Sequence, residues 1–168
     1  MTRTVPKQKP GKSTQTYCTP VELTRAIEKR FGKLQVDLAA TSKNTRAPLY
    51  VSQDIDSLSL DWAAEFKNKI LWLNPPYGHI APWAEKCAKH SEAIYRSSGL
   101  LLFLTPASTG ANWFIDHIYN CDNARVLFLK GRLQFGNHTT PYPKDCMITV
   151  FGDSHQKPKF QVWDWKAE

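Results

Sequence analysis

No apolar run in the 168-residue chain approaches the roughly 20 residues that cross a bilayer; the longest, residues 100–104 (LLLFL), has the length of a strand. The basic residues near the start are followed by no apolar segment, so no secretory signal is expected. Cysteine is scarce and scattered. Cys18, Cys87, Cys121 and Cys146 form no CxxC pair and have no histidine at zinc spacing, which argues against a disulfide scaffold and a structural zinc site. No metal and no membrane partner are expected, and a reducing, cytoplasmic compartment is the default. Carboxylates are missing from residues 1–16, which carry Arg3, Lys7, Lys9 and Lys12 among prolines and small polar residues. They read as a flexible basic arm, with residues 17–168 as one domain. The net charge is +7, and 42% hydrophobic and 12% aromatic residues suffice for one ordinary core.

Two other absences are local. Residues 124–144 contain Arg125, Lys130, Arg132 and Lys144 but no acid, whereas residues 47–66 contain Asp54, Asp56, Asp61 and Glu65 but no Lys or Arg. Such a pair of stretches suits a polyanion bound beside a small cationic or polyhydroxyl ligand.

The apolar pattern alternates between strand and helix. Thr19 as N-cap and Pro20 at the first helical position open a helix with Leu23, Ala26 and Ile27 on its apolar stripe and Gly32 at its end. Strands are expected over residues 34–38, 47–52, 69–73, 100–104, 125–129 and 146–151, with an edge strand at 160–163. Residues 130–135 continue toward a turn or hairpin at Gly136-Asn137. A second helix carries Trp83, Cys87, His90 and Ile94 at helical spacing, which reads as core packing, and residues 112–119 form a third. The fold class is therefore α/β, an open and mostly parallel sheet with antiparallel C-terminal strands.

Asn74-Pro75-Pro76-Tyr77-Gly78 follows the 69–73 strand, and ligand sites of such sheets lie beyond the carboxyl ends of strands. Each residue before a proline is driven out of the α region, so Asn74 and Pro75 are extended and stiff. The prolines have no N–H to donate, which leaves carbonyls, together with the Asn74 side-chain oxygen, as acceptors. Two acceptors side by side suit an exocyclic NH2 group: bonding both hydrogens favours a pyramidal nitrogen with a directed lone pair. Tyr77 offers a flat face for an unpaired base, worth roughly 1–3 kcal/mol, provided that the base is flipped out or single-stranded.

The N-P-P-Y motif at this place is the hallmark of amino-methyltransferases that use S-adenosylmethionine, and the chain from about Tyr17 to Phe151 resembles the phage DNA N6-adenine methyltransferase (Dam-type) family. Tyr17-Cys18-Thr19-Pro20, Val36-Asp37-Leu38-Ala39-Ala40 followed by Asn44, Leu58-Ser59-Leu60-Asp61-Trp62 and Lys130-Gly131-Arg132-Leu133-Gln134-Phe135 match its other motifs in order, the last as a late strand. The resemblance implies a compact Rossmann-like class I fold, S-adenosylmethionine as methyl donor, and adenine in DNA as target. By the same resemblance Tyr17, Thr19 and Pro20 hold the methionine end of the cofactor and Asp37 and Ala39 lie beneath it. Asp54 or Asp56 takes the ribose and Asp61 accepts from the cofactor adenine. Asn74, Pro75, Pro76 and Tyr77 are catalytic.

The chain departs from larger methyltransferases in having Ala39-Ala40-Thr41 in place of a glycine-rich loop, and no insertion is large enough for a separate target-recognition domain. Lys130, Arg132, His138 and Lys144 are candidates for DNA contact, the last two in the polar loop 136–144. A monomer or a homodimer is expected. Two alternatives stand beside DNA methylation. One is amino-methyl transfer to RNA or protein glutamine; the other is a non-catalytic relic that binds DNA or cofactor.

Overall fold

β1 (Val36–Asp37), β2 (Leu49–Tyr50), β3 (Ile70–Leu73), β4 (Leu100–Pro106), β5 (Ala124–Leu129), β6 (Cys146–Phe151) and β7 (Phe160–Trp163) join in one sheet of order β2-β1-β3-β4-β6-β5-β7. The structure is a computed structural model that describes residues 18–136, 138–153 and 158–168. The basic arm and Tyr17 lie outside the described residues.

The sheet is mixed and mostly parallel. Only β6 runs against its neighbours, β4 and β5; β7 pairs parallel with β5, with Leu127 opposite Gln161. The antiparallel C-terminal strands that were expected are corrected to one, because β7 joins the sheet beyond β5 and runs parallel to it. β3 and β4 are the buried centre, and their continuous apolar sequences reflect cover on both faces. Successive side chains point to opposite faces. Leu71, Leu73, Leu101 and Phe103 pack on one side with α3 (Ala81–Arg96), whereas Trp72, Leu102 and Leu104 pack on the other with α1 (Val21–Phe31). The short α2 (Trp62–Glu65) and α4 (Asn112–Phe114), which runs into a π-helical turn at Ile115–Tyr119, complete the α3 side. The three-residue turn Trp165–Ala167 covers the α1 side, with Trp165 buried. Among the described residues no helix is long and apolar enough to cross a membrane.

The apolar stripe of α1 is as expected, with Leu23, Ala26 and Ile27 buried, and Gly32 ends the helix at φ 99° with its N–H bonded to Glu28 O. Its start differs. Pro20 is the N-cap, and no side chain caps the helix among the described residues. Thr19 precedes the cap and its hydroxyl is turned to another partner, described below. Residues 130–135 are a second correction, since they form no strand. After Leu129 the chain leaves the sheet at Gly131 (φ 80°), and Leu133 and Phe135 are buried without a ladder, pinned by the bond from Tyr142 N–H to Leu133 O at 2.7 Å. Gly152 (φ 86°) allows the closest approach behind the sheet, where a Cβ would meet Gly99 O at 2.7 Å.

Candidate active site

The chain leaves β1 for β2 on one side and later returns to place β3 on the other. The carboxyl ends of β1 and β3 are therefore the topological switch point, where open α/β sheets hold their ligands. The register pairs Asp37 with Trp72, so residues 38–40 and 74–76 leave the sheet side by side. Between them lies a cavity of about 380 Å³, lined by Asp37, Ala39, Asp56, Asn74, Pro75 and Pro76 among others. Its size is that of a small-molecule site.

Asp37 sits at the closed end, 2% exposed. Its carboxylate accepts the backbone N–H of Arg46 at 3.0 Å and that of Ala39 at 3.3 Å. Desolvation outweighs these two bonds and the nearby Arg46 charge, and the carboxyl is pushed up from an aspartate's ordinary 3.8 to about 6. A buried carboxyl held this way is a receptor for a small cation.

Asn74 ends β3. Its side-chain Nδ2 donates to Thr19 Oγ1 at 3.2 Å, which restrains the rotation of the amide. Thr19 is itself 2% exposed, and its carbonyl is gripped by the Arg46 guanidinium, with Nε at 2.9 Å. Thr19, Arg46, Asp37 and Asn74 thus form one connected network. The loop is stiffened by its prolines and closed by the His79 N–H on Pro76 O before α3 begins. Tyr77 is outside the cavity lining. Its ring meets Phe135 and Tyr142 edge-on, at 6.1 and 5.8 Å, and those two meet each other at 5.5 Å. The late G-R-L-Q-F motif therefore supplies a buttress for Tyr77.

Not every residue expected at the site is brought there. Of the two ribose candidates, Asp56 lines the cavity and accepts from Leu58 N–H, while Asp54 is exposed beside Ser52. Asp61 is not among the residues that line the cavity. It caps α2 through Ala64 N–H at 3.1 Å, lies 3.4 Å from His90 Nδ1, and opens onto a groove on the α3 side instead of the cavity. Its spacing to Trp62 serves the helix start. Pro20, Arg132 and His138 line a second groove that also touches Thr19.

The basic stretch 124–144 also resolves differently. Arg125 is buried in an ion pair with Asp153, Lys130 pairs with Asp164, and Arg132 lies 3.8 Å from Asp145. Acids outside the stretch offset it, and Lys144 is exposed away from both the cavity and the groove beside it. Neither Lys130 nor Lys144 lines the cavity or the groove that touches Thr19.

Sequence reasoning missed Arg46, which nothing in its local pattern marks, and Trp83 as a lining residue. Trp83 stacks on Trp62 with ring centres 6.2 Å apart and also faces the cavity; its place in the first turn after N-P-P-Y-G was the available signal.

The profile of the family described as DNA N-6-adenine-methyltransferase (Dam) matches residues 7–159. The chain belongs to the Dam family. A relative from Escherichia phage T1, named DNA N-6-adenine-methyltransferase, is 29% identical over 117 residues, covering 70% of this chain and 45% of that protein. One of the same name from Haemophilus phage HP1 is 23% identical over 142 residues, covering 80% of this chain and 77% of its own length. The chain thus spans under half of the phage T1 protein and about three quarters of the phage HP1 protein.

Proposed function

We propose that this Dam-family chain transfers a methyl group from S-adenosylmethionine to N6 of adenine in DNA, acting in the cytoplasm of a host cell. Residues 17–168 are then a single domain of the compact Rossmann-like class I type. The observation that carries this reading is the convergence of buried Asp37 and the Asn74-Pro75-Pro76 turn on one cavity at the switch point.

The residues fit the cofactor. Asp37, whose carboxyl burial pushes up to about 6, takes an ammonium; Asp56 takes hydroxyls at the cavity rim; Ala39, small and next to the Asp37 carboxylate, leaves room. When bound, S-adenosylmethionine supplies an electrophilic methyl group on a sulfonium. The chain's own residues prepare the acceptor. Asn74 Oδ1 and the Pro75 carbonyl accept the two hydrogens of the adenine amine and direct its lone pair into the cavity. Thr19 holds Asn74 in that orientation from the far side of the amide. Tyr77, backed by Phe135 and Tyr142, is the aromatic surface for the unstacked base. The released proton passes to water or to the carbonyl-lined site, and Pro76 keeps any competing N–H out of it.

Incubation with labelled S-adenosylmethionine and unmethylated DNA, followed by nucleoside analysis, tests the reading. Label is expected in N6-methyl-2′-deoxyadenosine. Asn74→Ala should lower turnover by at least about 10²-fold while cofactor binding persists. Label found only on RNA or protein would replace the substrate, and near-normal turnover by the variant would remove Asn74 from the mechanism.

A further inference from the structure

The second groove runs beside the cavity and shares Thr19 with it. It is assembled from segments far apart in the chain: the start of α1, Lys43 and Arg46, Arg132 and His138, and the C-terminal turn with Trp165 and Lys166. Its only lining carboxylate among the described residues is Glu22. Lys43, Arg132 and Lys166 are exposed, Arg132 lying 3.8 Å from Asp145 and Lys166 5.4 Å over the Trp165 ring, whereas Arg46 is engaged with Thr19. The first turn of the 11-residue α1 opens here with no side-chain cap among the described residues, which adds the positive end of a helix dipole. Trp165 Nε1, buried at the groove, meets no acceptor among the described residues.

We infer that this groove carries the DNA strand holding the target nucleotide, with its backbone phosphates on Lys43, Arg132 and Lys166. The inference rests on the proposed methylation of DNA and adds the path by which the nucleotide reaches Asn74. Continuity decides for this groove over the other basic one. The α3-side groove, with Lys67, Lys86, Lys89 and Arg96, shares no lining residue with the cavity. A strand there would lie against the opposite face of the sheet from α1.

The test compares two charge-matched double variants, Lys43→Ala/Lys166→Ala in the groove and Lys67→Ala/Lys89→Ala on the α3 side. Affinity for a short unmethylated DNA duplex is measured between about 50 and 200 mM salt. The groove pair should weaken binding by about tenfold or more and lower the slope of log affinity against log salt by about 2, while the α3-side pair leaves both near wild type. Equal losses from the two pairs, or no change from the groove pair, would overturn the inference. Methyl transfer by the wild-type protein is read separately. Transfer that persists while the groove pair has no effect rejects the groove alone. A groove-dependent salt slope without any transfer rejects the proposed activity and keeps the groove as a nucleic-acid site.

Discussion

The cavity and the groove meet at Thr19 yet are built by opposite means. Asp37 and Asn74 end neighbouring parallel strands, so their separation is set by strand spacing and register, which backbone hydrogen bonds hold rigidly. Groove cations stand on the surface at the ends of long flexible side chains from three segments, and only the packing of those segments brings them together. The first arrangement suits orientation of a reacting group, where an error of an ångström costs rate. The second suits a polyanion, for which position matters less than total charge and salt screens the effect.

The difference can be broken most forcefully where the two regions share a foundation. Phe135 is 1% exposed, backs Tyr77 and anchors the irregular segment that presents Arg132 and His138. Phe135→Ala should cost about 3–5 kcal/mol in urea unfolding and should loosen both regions together. A loss below about 1 kcal/mol would show that residues 130–142 are held in some other way.

Asp37 sharpens the contrast by separating cavity electrostatics from groove electrostatics. Because burial raises its carboxyl to about 6, the folded state prefers the protonated form. Asp37 then supports stability below about pH 4, and that support is lost as pH rises through about 6. In cofactor-free protein, Asp37→Asn should therefore gain about 2 kcal/mol at pH 8 and nothing at pH 4, less than the full shift because the amide keeps one acceptor where the carboxylate has two. Cofactor affinity of the wild type should rise with pH up to about 6 and then level, independently of salt at fixed pH. A variant that is less stable at pH 8 would reverse this account of the carboxyl.

The smallest expected effect tests the junction. Thr19→Val removes the acceptor for Asn74 Nδ2 while keeping the shape, and kcat should fall by about tenfold, with Thr19→Ser restoring most of it. DNA affinity and its salt slope should be unchanged. If KM for cofactor moves instead of kcat, Thr19 serves the cofactor and does not orient Asn74.

Much of this site was legible in the chain, and the reasons are specific. The 69–73 run stopped by two prolines is a signal that needs no tertiary context, since proline geometry alone ends the strand and stiffens the turn. Asp37 at the end of an alternating run was legible for the same local reason. Thr19 and Asp61 were harder. Each stands before a helical pattern, and the hydroxyl of one reaches instead across to Asn74 while the carboxylate of the other is spent on Ala64 N–H. The choice between Asp54 and Asp56 turned on which side of the 51–57 loop faces inward, which two acids separated by one residue do not reveal.

By itself the sequence determined the buried central strands, the stiff acceptor turn at residues 74–76 and the order of motifs shared with the Dam family, because these follow from periodicity, proline sterics and local identity. Only the tertiary structure decided where charge is expressed. The acid-free stretch 124–144 is offset by Asp145, Asp153 and Asp164, which come from beyond it in the chain, while Lys43 and Lys166 are brought together from distant parts of the sequence. Coulomb interactions depend on distance through space, and a linear pattern of signs holds no record of that distance until the sheet closes it.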